Sequence, residues 1–325
     1  MMDLKNMEQA VLDCLALNYG LGGTLVRLSG ENLNYLLRRE GGVSYVVKIV
    51  DDDMPPEVVE MENEALNHAV SLGFSYKLPK IRKNIDKKIE TGITIPLNGL
   101  YRLRVISLIE GRELQSFTDI SVKMMENVGK MIAELGLAMK GFDHPAAHRT
   151  HRWNLVDTGM HRDKISLESN PEKRRLLEWG FEAWAEVEST LHSMPWQFIH
   201  GDLNPENILV EGDRINGVVD FGDCCMNPAV CDLAISITYF MMNQQNPLNS
   251  ARVVVYGYEQ IRPLDERERS LLLPLVCGRL ATSIAISLSR RLIDPHNPNW
   301  FQSEGAAWRL LGQMRDLGQD KGIPG

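Results

Sequence analysis

The sequence predicts an α+β fold with two lobes, a small N-terminal lobe built on an antiparallel β-sheet and a larger, mainly helical C-terminal lobe. Two observations predict this division. Short β-branched and aromatic runs are concentrated before residue 109, whereas apolar residues at helical spacing dominate from residue 119 onward. We therefore expect two domains, residues 1–109 and residues 110–325.

The N-terminal lobe begins with a helix. Apolar residues at helical spacing predict this helix over residues 3–17, and a second helix over residues 55–73 begins at a proline pair. Five strands are predicted around them: residues 24–28, 34–37, 45–50, 93–96 and 101–106. The last two strands flank Asn98-Gly99, a strong hairpin signal, and complete an antiparallel sheet.

The C-terminal lobe is expected to be mainly helical. Helices are predicted from Asp119 or Ser121 to Lys140 and, with Asn170 as N-cap, from residue 171 to Leu191. The apolar stretch 271–288 is also helical, with expected interruptions at Pro274 and Gly278.

A short hairpin in this lobe presents polar residues at one loop. Two apolar β-type runs are joined by turn residues 211–214; Asp202 and Asn207 precede the hairpin and Asp220 follows it. Carboxylate and amide oxygens at one point suit phosphoryl transfer, which needs a carboxylate near the attacking hydroxyl and oxygen ligands for Mg²⁺. We assign the first role to Asp202, and Mg²⁺ binding to Asn207 and Asp220.

Two motifs support this assignment. The spacing of Asp202 and Asn207 matches the kinase catalytic loop, and Asp220-Phe221-Gly222 matches the metal-binding triplet that follows it. The alternative is a polar loop without a catalytic role. The occurrence of both motifs in this order argues against it.

His200-Gly201-Asp202, with Asn207 five residues after the aspartate, resembles the signature of the aminoglycoside phosphotransferase and choline kinase superfamily. Residues 200–209, 220–223 and 279–283 resemble its hydroxylysine kinase branch. The resemblance covers about residues 10–305. It implies a protein-kinase-like fold and transfer of a γ-phosphoryl group from ATP or GTP to a hydroxyl of an amino-bearing small molecule such as hydroxylysine.

The resemblance also implies a phosphate-binding lysine. Lys48 lies in the third strand and is expected to reach the α- and β-phosphates when a glutamate of the next helix holds it. Glu60, Glu62 and Glu64 are all at a suitable distance along the chain. The resemblance favours Glu62, which sits four residues before Leu66, and the other two remain alternatives.

Two further segments are expected to contact the nucleotide. Ser29, Gly30 and Asn32 lie where a nucleotide-covering loop is expected, although an ordinary hairpin turn is the alternative. Ser107 and Ile109 lie in a segment that resembles the family's hinge, where backbone groups would read the purine edge. Nucleotide binding is thus assigned to the N-terminal lobe, and catalysis and acceptor binding to the C-terminal lobe.

Residues for the acceptor are suggested by their position. Asp223 and Glu206 face the same loop mouth and are candidates to bind a substrate ammonium, with surface solvation as the alternative. Trp153-Asn154-Leu155 resembles a Trp-Asp-Leu element of the hydroxylysine kinase branch, which makes Trp153 a candidate acceptor residue. Asn154 replaces the acid of that element, which suggests that the acceptor differs.

The connection after Asp220 is short. Residues 223–230 separate the metal-binding triplet from the next helix, which leaves no room for the platform on which protein kinases bind protein substrates. Asp232 matches an Asp-Leu-Ala element that is expected to brace the catalytic loop, and a helix-cap role is the alternative.

Composition and charge limit the classes of partner that the protein is expected to bind. A net charge of −8 disfavours nucleic acid and is compatible with a cationic small substrate. The sequence contains no continuous apolar run of about 20 residues, as a membrane helix requires, and its start lacks the features of a signal peptide. We therefore expect a cytoplasmic protein without a membrane partner, and the sequence gives no prediction of oligomeric state.

Neither the cysteines nor the histidines predict a metal site. The five cysteines contain no Cys-x-x-Cys pair, and the four histidines of residues 142–162 lack a metal-binding spacing, so we interpret that segment as a solvated loop. Other kinases of the superfamily, acting on aminoglycosides, choline, ethanolamine or homoserine, remain alternatives. A pseudokinase that only binds nucleotide is disfavoured because Lys48, Asp202, Asn207 and Asp220 are all present.

Overall fold

The computed structural model describes residues 4–28, 33–51, 54–95, 99–297 and 299–318. Contacts between Cα atoms divide the chain into two units. One contains Met1–Leu66 and Lys77–Glu110, and the other contains Asn67–Tyr76 and Gly111–Gly325. The α+β fold class predicted from the sequence is confirmed.

A six-stranded antiparallel sheet dominates the first unit. Its strands are β1 Thr24–Arg27, β2 Leu33–Arg38, β3 Tyr45–Asp51, β4 Ile81–Arg82, β5 Thr91–Ile95 and β6 Gly99–Ser107. Their order is β1-β2-β3-β6-β4, and β5 also pairs with β6. Only β4 was not predicted, because two residues are too few to show an alternating pattern.

Helix α1 (Leu4–Tyr19) covers one face of this sheet. Its residues Met7, Val11 and Leu15 are buried in one apolar cluster with Val47 of β3 and Leu103 of β6. The apolar face of α1 and the buried alternating residues of β3 and β6 therefore pack in one core. The second helix, α2 (Pro56–Ser71), begins at the predicted proline pair.

The second unit contains the predicted short hairpin. Its strands are β7 Arg112–Glu113, β8 Trp196–Ile199, β9 Ile208–Glu211, β10 Arg214–Val218 and β11 Cys225–Pro228. β9 and β10 form the hairpin, and Gly212 provides the positive φ (64°) of its turn. β7 pairs with β9, and β8 pairs with β11; neither pairing was predicted.

Most of the second unit is helical. The described helices are α3 Val122–Ala138, α4 Pro171–Ala185, α5 Glu188–His192, α6 Val230–Met241, α7 Pro247–Glu259, α8 Glu266–Arg291 and α9 Glu304–Leu317. Ser121 caps α3, and Asn170 caps α4 as predicted. The prediction of one helix from residue 171 to Leu191 was wrong, because Val187 and Leu191 continue the apolar spacing of α4 beyond the break.

The expected interruption of α8 was also wrong. The helix is continuous through Pro274 and Gly278. Gly278 serves packing instead, since a Cβ atom there would lie 2.7 Å from Cδ1 of Trp184. Among the described helices, α8 alone is long and apolar enough to cross a membrane, yet 94% of its apolar window is buried inside the protein.

Helices α3 and α7 cross at two glycines. A Cβ atom on Gly129 would lie 2.0 Å from the carbonyl oxygen of Val254, and one on Gly257 would lie 2.0 Å from that of Glu126. No real side chain fits at such distances, so this close crossing requires glycine on both helices.

Candidate active site

The loop between β8 and β9, residues 200–207, carries the predicted catalytic aspartate. Asp232 of α6 accepts hydrogen bonds from the backbone N–H groups of His200 (2.9 Å) and Gly201 (2.8 Å). The N-cap residue of α6 is Ala229, and no side chain caps this helix. Asp232 therefore braces the loop, and the helix-cap alternative is wrong.

The same loop contacts the turn after Asp220. Gly201 has a φ of 80°, and a Cβ atom there would lie 2.3 Å from the carbonyl oxygen of Asp223. Nε2 of His200 lies 3.0 Å from the carbonyl oxygen of Val219, and its ring centroid lies 4.4 Å from that of Phe221. These contacts hold both predicted motifs against each other.

Asparagine side chains hold the carboxylate of Asp202. Nδ2 of Asn207 donates to the backbone oxygen (2.8 Å) and to Oδ2 (3.1 Å) of Asp202, and Nδ2 of Asn204 also donates to Oδ2 (2.9 Å). Because Nδ2 of Asn207 is directed at Asp202, the amide oxygen Oδ1 is the atom of Asn207 that suits a metal ion.

Asp220 lies directly after β10. The backbone N–H of Val219 donates to the carbonyl oxygen of Asn207 (3.0 Å), which brings Asp220 beside the catalytic loop. Asp220 has φ 64° and ψ 73°, a left-handed conformation that few residues other than glycine adopt. Such strained residues persist where the surrounding structure fixes them, and they are concentrated at functional sites.

The oxygen donors of Asn207 and Asp220 fit Mg²⁺. This ion is usually held by one or two carboxylates together with water and substrate phosphates rather than by a complete protein cage. Within the described parts of the chain, no three His, Cys, Asp or Glu side chains converge to hold a metal ion. The donor set thus suits a metal that is shared with nucleotide phosphates.

Arg279, in the middle of α8, is a site residue to which the sequence analysis gave no role. Its Nη2 donates to Oδ1 of Asp202 (2.9 Å) and to the hydroxyl of Tyr239 (3.0 Å), and its Nη1 donates to the carbonyl oxygen of Trp153 (3.1 Å). Its side chain is 3% exposed. An arginine within an apolar helix was the available signal, because such a charge is rarely buried without a partner.

Trp153, the candidate acceptor residue, lies against arginines of the protein itself. The guanidinium carbons of Arg279 and Arg290 lie 4.9 and 5.7 Å from its ring centroid. Arg279 also lies over Tyr239 and Arg290 over Trp300, at 5.7 and 5.3 Å. Aromatic rings and guanidinium groups thus alternate from Tyr239 to Trp300.

Asn154 pairs with polar side chains of the protein itself. Its side chain is buried, with Nδ2 donating to Oδ2 of Asp157 (2.8 Å) and Oδ1 accepting from Nδ2 of Asn227 (2.6 Å). An aspartate here would lose the donor to Asp157. The structure therefore gives Asn154 a role in internal packing, and the suggestion of a different acceptor stays a prediction.

Asp223, a candidate for ammonium binding, lies among basic groups. Nε2 of His151 is 3.2 Å from Oδ1 of Asp223, and Arg149 donates to the carbonyl oxygens on both sides, those of Gly222 and Cys224. Burial, followed by the charges of Asp202 and Asp220, raises the pKa of Asp223 to about 7. Burial, followed by the charge of Arg149, lowers the pKa of His151 to about 4.

Glu206, the other candidate for ammonium binding, lies in the catalytic loop and is exposed. Its backbone N–H donates to Oδ1 of Asn204 (2.7 Å), the residue that also holds Asp202. Glu206 is thus placed close to Asp202 along the same loop.

The histidine-containing segment, residues 142–162, is the predicted solvated loop only in its first part, where Asp143 and His148 are exposed. Residues Leu155–Leu167 form 3₁₀ turns, and His161 is 3% exposed, with Nε2 lying 2.7 Å from the carbonyl oxygen of Arg152. Nε1 of Trp184 in α4 donates to the carbonyl oxygen of Leu155 (2.9 Å). Packing against α4 explains why this polar segment is ordered inside the unit.

The predicted phosphate-binding lysine lies in the sheet of the first unit. Lys48 in β3 is directly opposite Arg104 in β6, and Nη2 of Arg104 lies 2.7 Å from Oε2 of Glu62. Glu62 is buried, whereas Glu60 and Glu64 are exposed. Burial toward the sheet thus favours Glu62, and Arg104 is a buried partner that the sequence analysis missed.

Ser107 and Ile109, also predicted to contact the nucleotide, lie at the end of β6 and just after it. The backbone N–H of Ser107 donates to the carbonyl oxygen of Lys80 (2.8 Å), and Ile109 is buried. Ser29, Gly30 and Asn32 lie outside the described residues.

Comparison with protein families gives a match over most of the chain. The phosphotransferase enzyme family matches residues 24–269. A hydroxylysine kinase of Mus musculus is 28% identical over 296 residues, covering 85% of this chain and 78% of the relative. A homoserine kinase of Gluconobacter oxydans is 29% identical over 290 residues, covering 84% of each chain.

Solved structures of similar fold include kinases of small molecules. A microcompartment-associated aminopropanol kinase has a TM-score of 0.73 at 17% identity, covering 97% of this chain and 98% of its own. An amicoumacin kinase in complex with AMP-PNP, Ca²⁺ and its ligand has a TM-score of 0.71 at 16% identity, covering 97% and 94%.

Proposed function

Because the chain belongs to the phosphotransferase enzyme family, we propose that it transfers the γ-phosphoryl group of ATP or GTP to a hydroxyl of an amino-bearing small molecule. A hydroxylysine-like amino acid is the favoured acceptor. Membership of this family makes the chain a small-molecule kinase; the donor, the metal and the acceptor are the proposed parts.

The contact between Asn207 and Asp202 carries this proposal, because it reproduces the arrangement that phosphoryl transfer needs. Asp202 accepts the proton of the acceptor hydroxyl as the acceptor oxygen bonds to the γ-phosphorus. The bond from that phosphorus to the bridging oxygen breaks, and the nucleoside diphosphate leaves. Rate enhancement comes mainly from positioning and charge neutralisation.

Oδ1 of Asn207 and the carboxylate of Asp220 would hold Mg²⁺, which neutralises charge on the nucleotide phosphates. In the nucleotide-binding domain, residues 1–109, Lys48 would bind the α- and β-phosphates, and Glu62 would hold Lys48 in place. Ser29, Gly30 and Asn32 would cover them, and backbone groups at Ser107 and Ile109 would read the base. Residues 110–325 would bind the acceptor.

The acceptor proposal is supported by what the named relatives share. Hydroxylysine and homoserine both carry an amine and a hydroxyl, and so does aminopropanol. We propose that the ammonium group binds to Asp223 and Glu206, because Glu206 lies in the same loop as Asp202 and Asp223 lies against Gly201 of that loop. Trp153 lies against Arg279, which donates to Asp202, and would act on the acceptor site through that contact.

Homoserine is the second candidate acceptor, since homoserine kinases match over a similar share of the chain. We infer an enzyme that acts on free small molecules in the cytoplasm, without a membrane partner, and its acidic net charge of −8 disfavours nucleic acid as a partner.

The test is release of ADP or GDP by the purified protein with Mg²⁺ and a panel of hydroxylated amines. The panel contains hydroxylysine, homoserine, aminopropanol, choline and an aminoglycoside. We expect acceptor-dependent release that Asp202→Asn lowers at least about 1,000-fold while nucleotide affinity stays within about threefold. Exposed Asp213→Asn is the matched control and should retain full activity. Nucleotide binding without turnover of any acceptor would contradict the proposal.

A further inference from the structure

We propose that Arg279 is a positioning residue for Asp202, whose carboxylate it orients so that Oδ1 receives the acceptor hydroxyl. This inference rests on the proposed function and adds a residue to it. The two residues are separated by 77 positions in the sequence and form an ion pair with an N–O distance of 2.9 Å.

The hydrogen bonds of Asp202 show which oxygen remains for an acceptor. Each carboxylate oxygen has about two places for hydrogen bonds. Oδ2 accepts from Asn204 and from Asn207, whereas Oδ1 accepts from Arg279. Among the described residues one place on Oδ1 is therefore left, and the acceptor hydroxyl is expected there.

Arg279 is itself held in one orientation. Nη1 donates to the carbonyl oxygen of Trp153, Nη2 donates to the hydroxyl of Tyr239, and the guanidinium lies over both aromatic rings. A planar guanidinium with several fixed donors loses little freedom on pairing, unlike the flexible ammonium of lysine. The direction of the carboxylate is thus set by the core of the second unit.

Burial makes the pair mutually dependent. The side chain of Arg279 is 3% exposed and that of Asp202 is 21% exposed. A buried guanidinium without its carboxylate is strongly unfavourable. Since phosphoryl transfer depends on placement of the reacting groups, a displaced carboxylate is expected to lower kcat and to leave nucleotide binding unchanged.

The experiment is a double-mutant cycle on turnover of the best acceptor. We expect Arg279→Met to lower kcat about 100-fold and Arg279→Lys, which keeps the charge and loses the fork, to lower it about 10-fold. The KM for the nucleotide should stay within about threefold. In the Asp202→Asn background, either substitution should lower the residual rate less than about twofold, because the group that Arg279 positions is absent.

Arg290→Lys is the matched control. Arg290 lies in the same helix and over the same indole, and the described hydrogen bonds of the Asp202 carboxylate come from Arg279, Asn204 and Asn207. We expect its kcat to stay within about threefold of the wild type. The proposal would be overturned if Arg279→Lys lowered kcat by the same factor in the wild type and in the Asp202→Asn background. It would also be overturned if Arg290→Lys lowered kcat as much as Arg279→Lys does.

A second cycle needs no acceptor. Melting temperatures of Asp202→Asn, Arg279→Lys and the double variant should be non-additive if the pair exists, and additive shifts would overturn it. If Arg279→Met does not fold, Arg279→Lys can be used in both cycles. A wild-type protein that phosphorylates no acceptor contradicts the proposed function, whereas additive melting shifts contradict the ion pair, so the two failures are distinguishable.

Discussion

At the scale of single residues, burial and ion pairing distinguish charged side chains that look equivalent in the sequence. Glu62 is the glutamate of α2 that the sequence could not separate from its neighbours by spacing. The structure gives Glu62 a buried partner, Arg104, and leaves Glu60 and Glu64 exposed. Burial therefore distinguishes residues that a sequence pattern treats as equivalent.

Glu62→Gln is expected to lower the free energy of unfolding by about 3 kcal/mol, because it removes the carboxylate from a buried ion pair. Urea unfolding measures the change. Glu60→Gln and Glu64→Gln on the same helix are the controls and should stay within about 0.5 kcal/mol of the wild type. Similar losses for all three variants would show that the ion pair with Arg104 is not a special contact.

At the scale of secondary-structure elements, two glycines allow helices α3 and α7 to cross closely. The helices α3 and α7 meet where each carries a glycine, and the carbonyl oxygen of one helix occupies the space of a Cβ on the other. Glycine lowers the stability of a helix relative to alanine. Its presence in both helices therefore indicates that packing at the crossing stabilises the protein by more than the two glycines destabilise the helices.

Gly257→Ala is expected to destabilise the protein by about 3 kcal/mol, since its Cβ would meet the backbone oxygen of Glu126 at 2.0 Å. Thermal unfolding measures the change. Gly312→Ala in α9 is the control, because the nearest atom to its Cβ would be Cδ2 of Leu176 at 3.9 Å. That variant should be more stable by about 0.5 kcal/mol. Equal behaviour of both variants would contradict the close crossing.

At the scale of the whole molecule, Asp223 and His151 make opposing contributions to the pH dependence of stability. Asp223 has a raised pKa of about 7 against an ordinary 3.8, so the unfolded chain releases this proton first and stability falls as pH rises from about 4 to 7. His151 has a lowered pKa of about 4 against an ordinary 6.5, so stability falls as pH drops from 6.5 to 4. The two contributions offset each other in the wild type.

Asp223→Asn removes the first contribution. We expect the melting temperature of the variant, relative to the wild type, to increase between pH 4 and pH 7 and to level off above. Exposed Asp213→Asn is the control and should give a difference that does not change with pH. A flat profile for Asp223→Asn would show that the carboxyl is not held in its neutral form.

Much of the molecule could be read from local patterns. Helical spacing, strand alternation and turn residues predict α1, β1 to β3, α2, α3 and the β9–β10 hairpin, because these depend on neighbours in sequence. The order of Asp202, Asn207 and Asp220 predicts that oxygen donors meet at the hairpin mouth, for the same reason. Pairings of two to four residues, such as β7 with β9, were missed because so short a strand carries no period.

The sequence by itself determined the kind of chemistry and predicted the loop proposed to carry it, because both inferences follow from residue type and spacing along a hairpin. Tertiary structure alone decided which charges meet: Arg279 with Asp202 across 77 positions, Arg104 with Glu62, and Asn154 with Asn227 inside the second unit. A buried polar group must find a partner wherever packing brings one. That partner is set by the fold, and no local spacing encodes it.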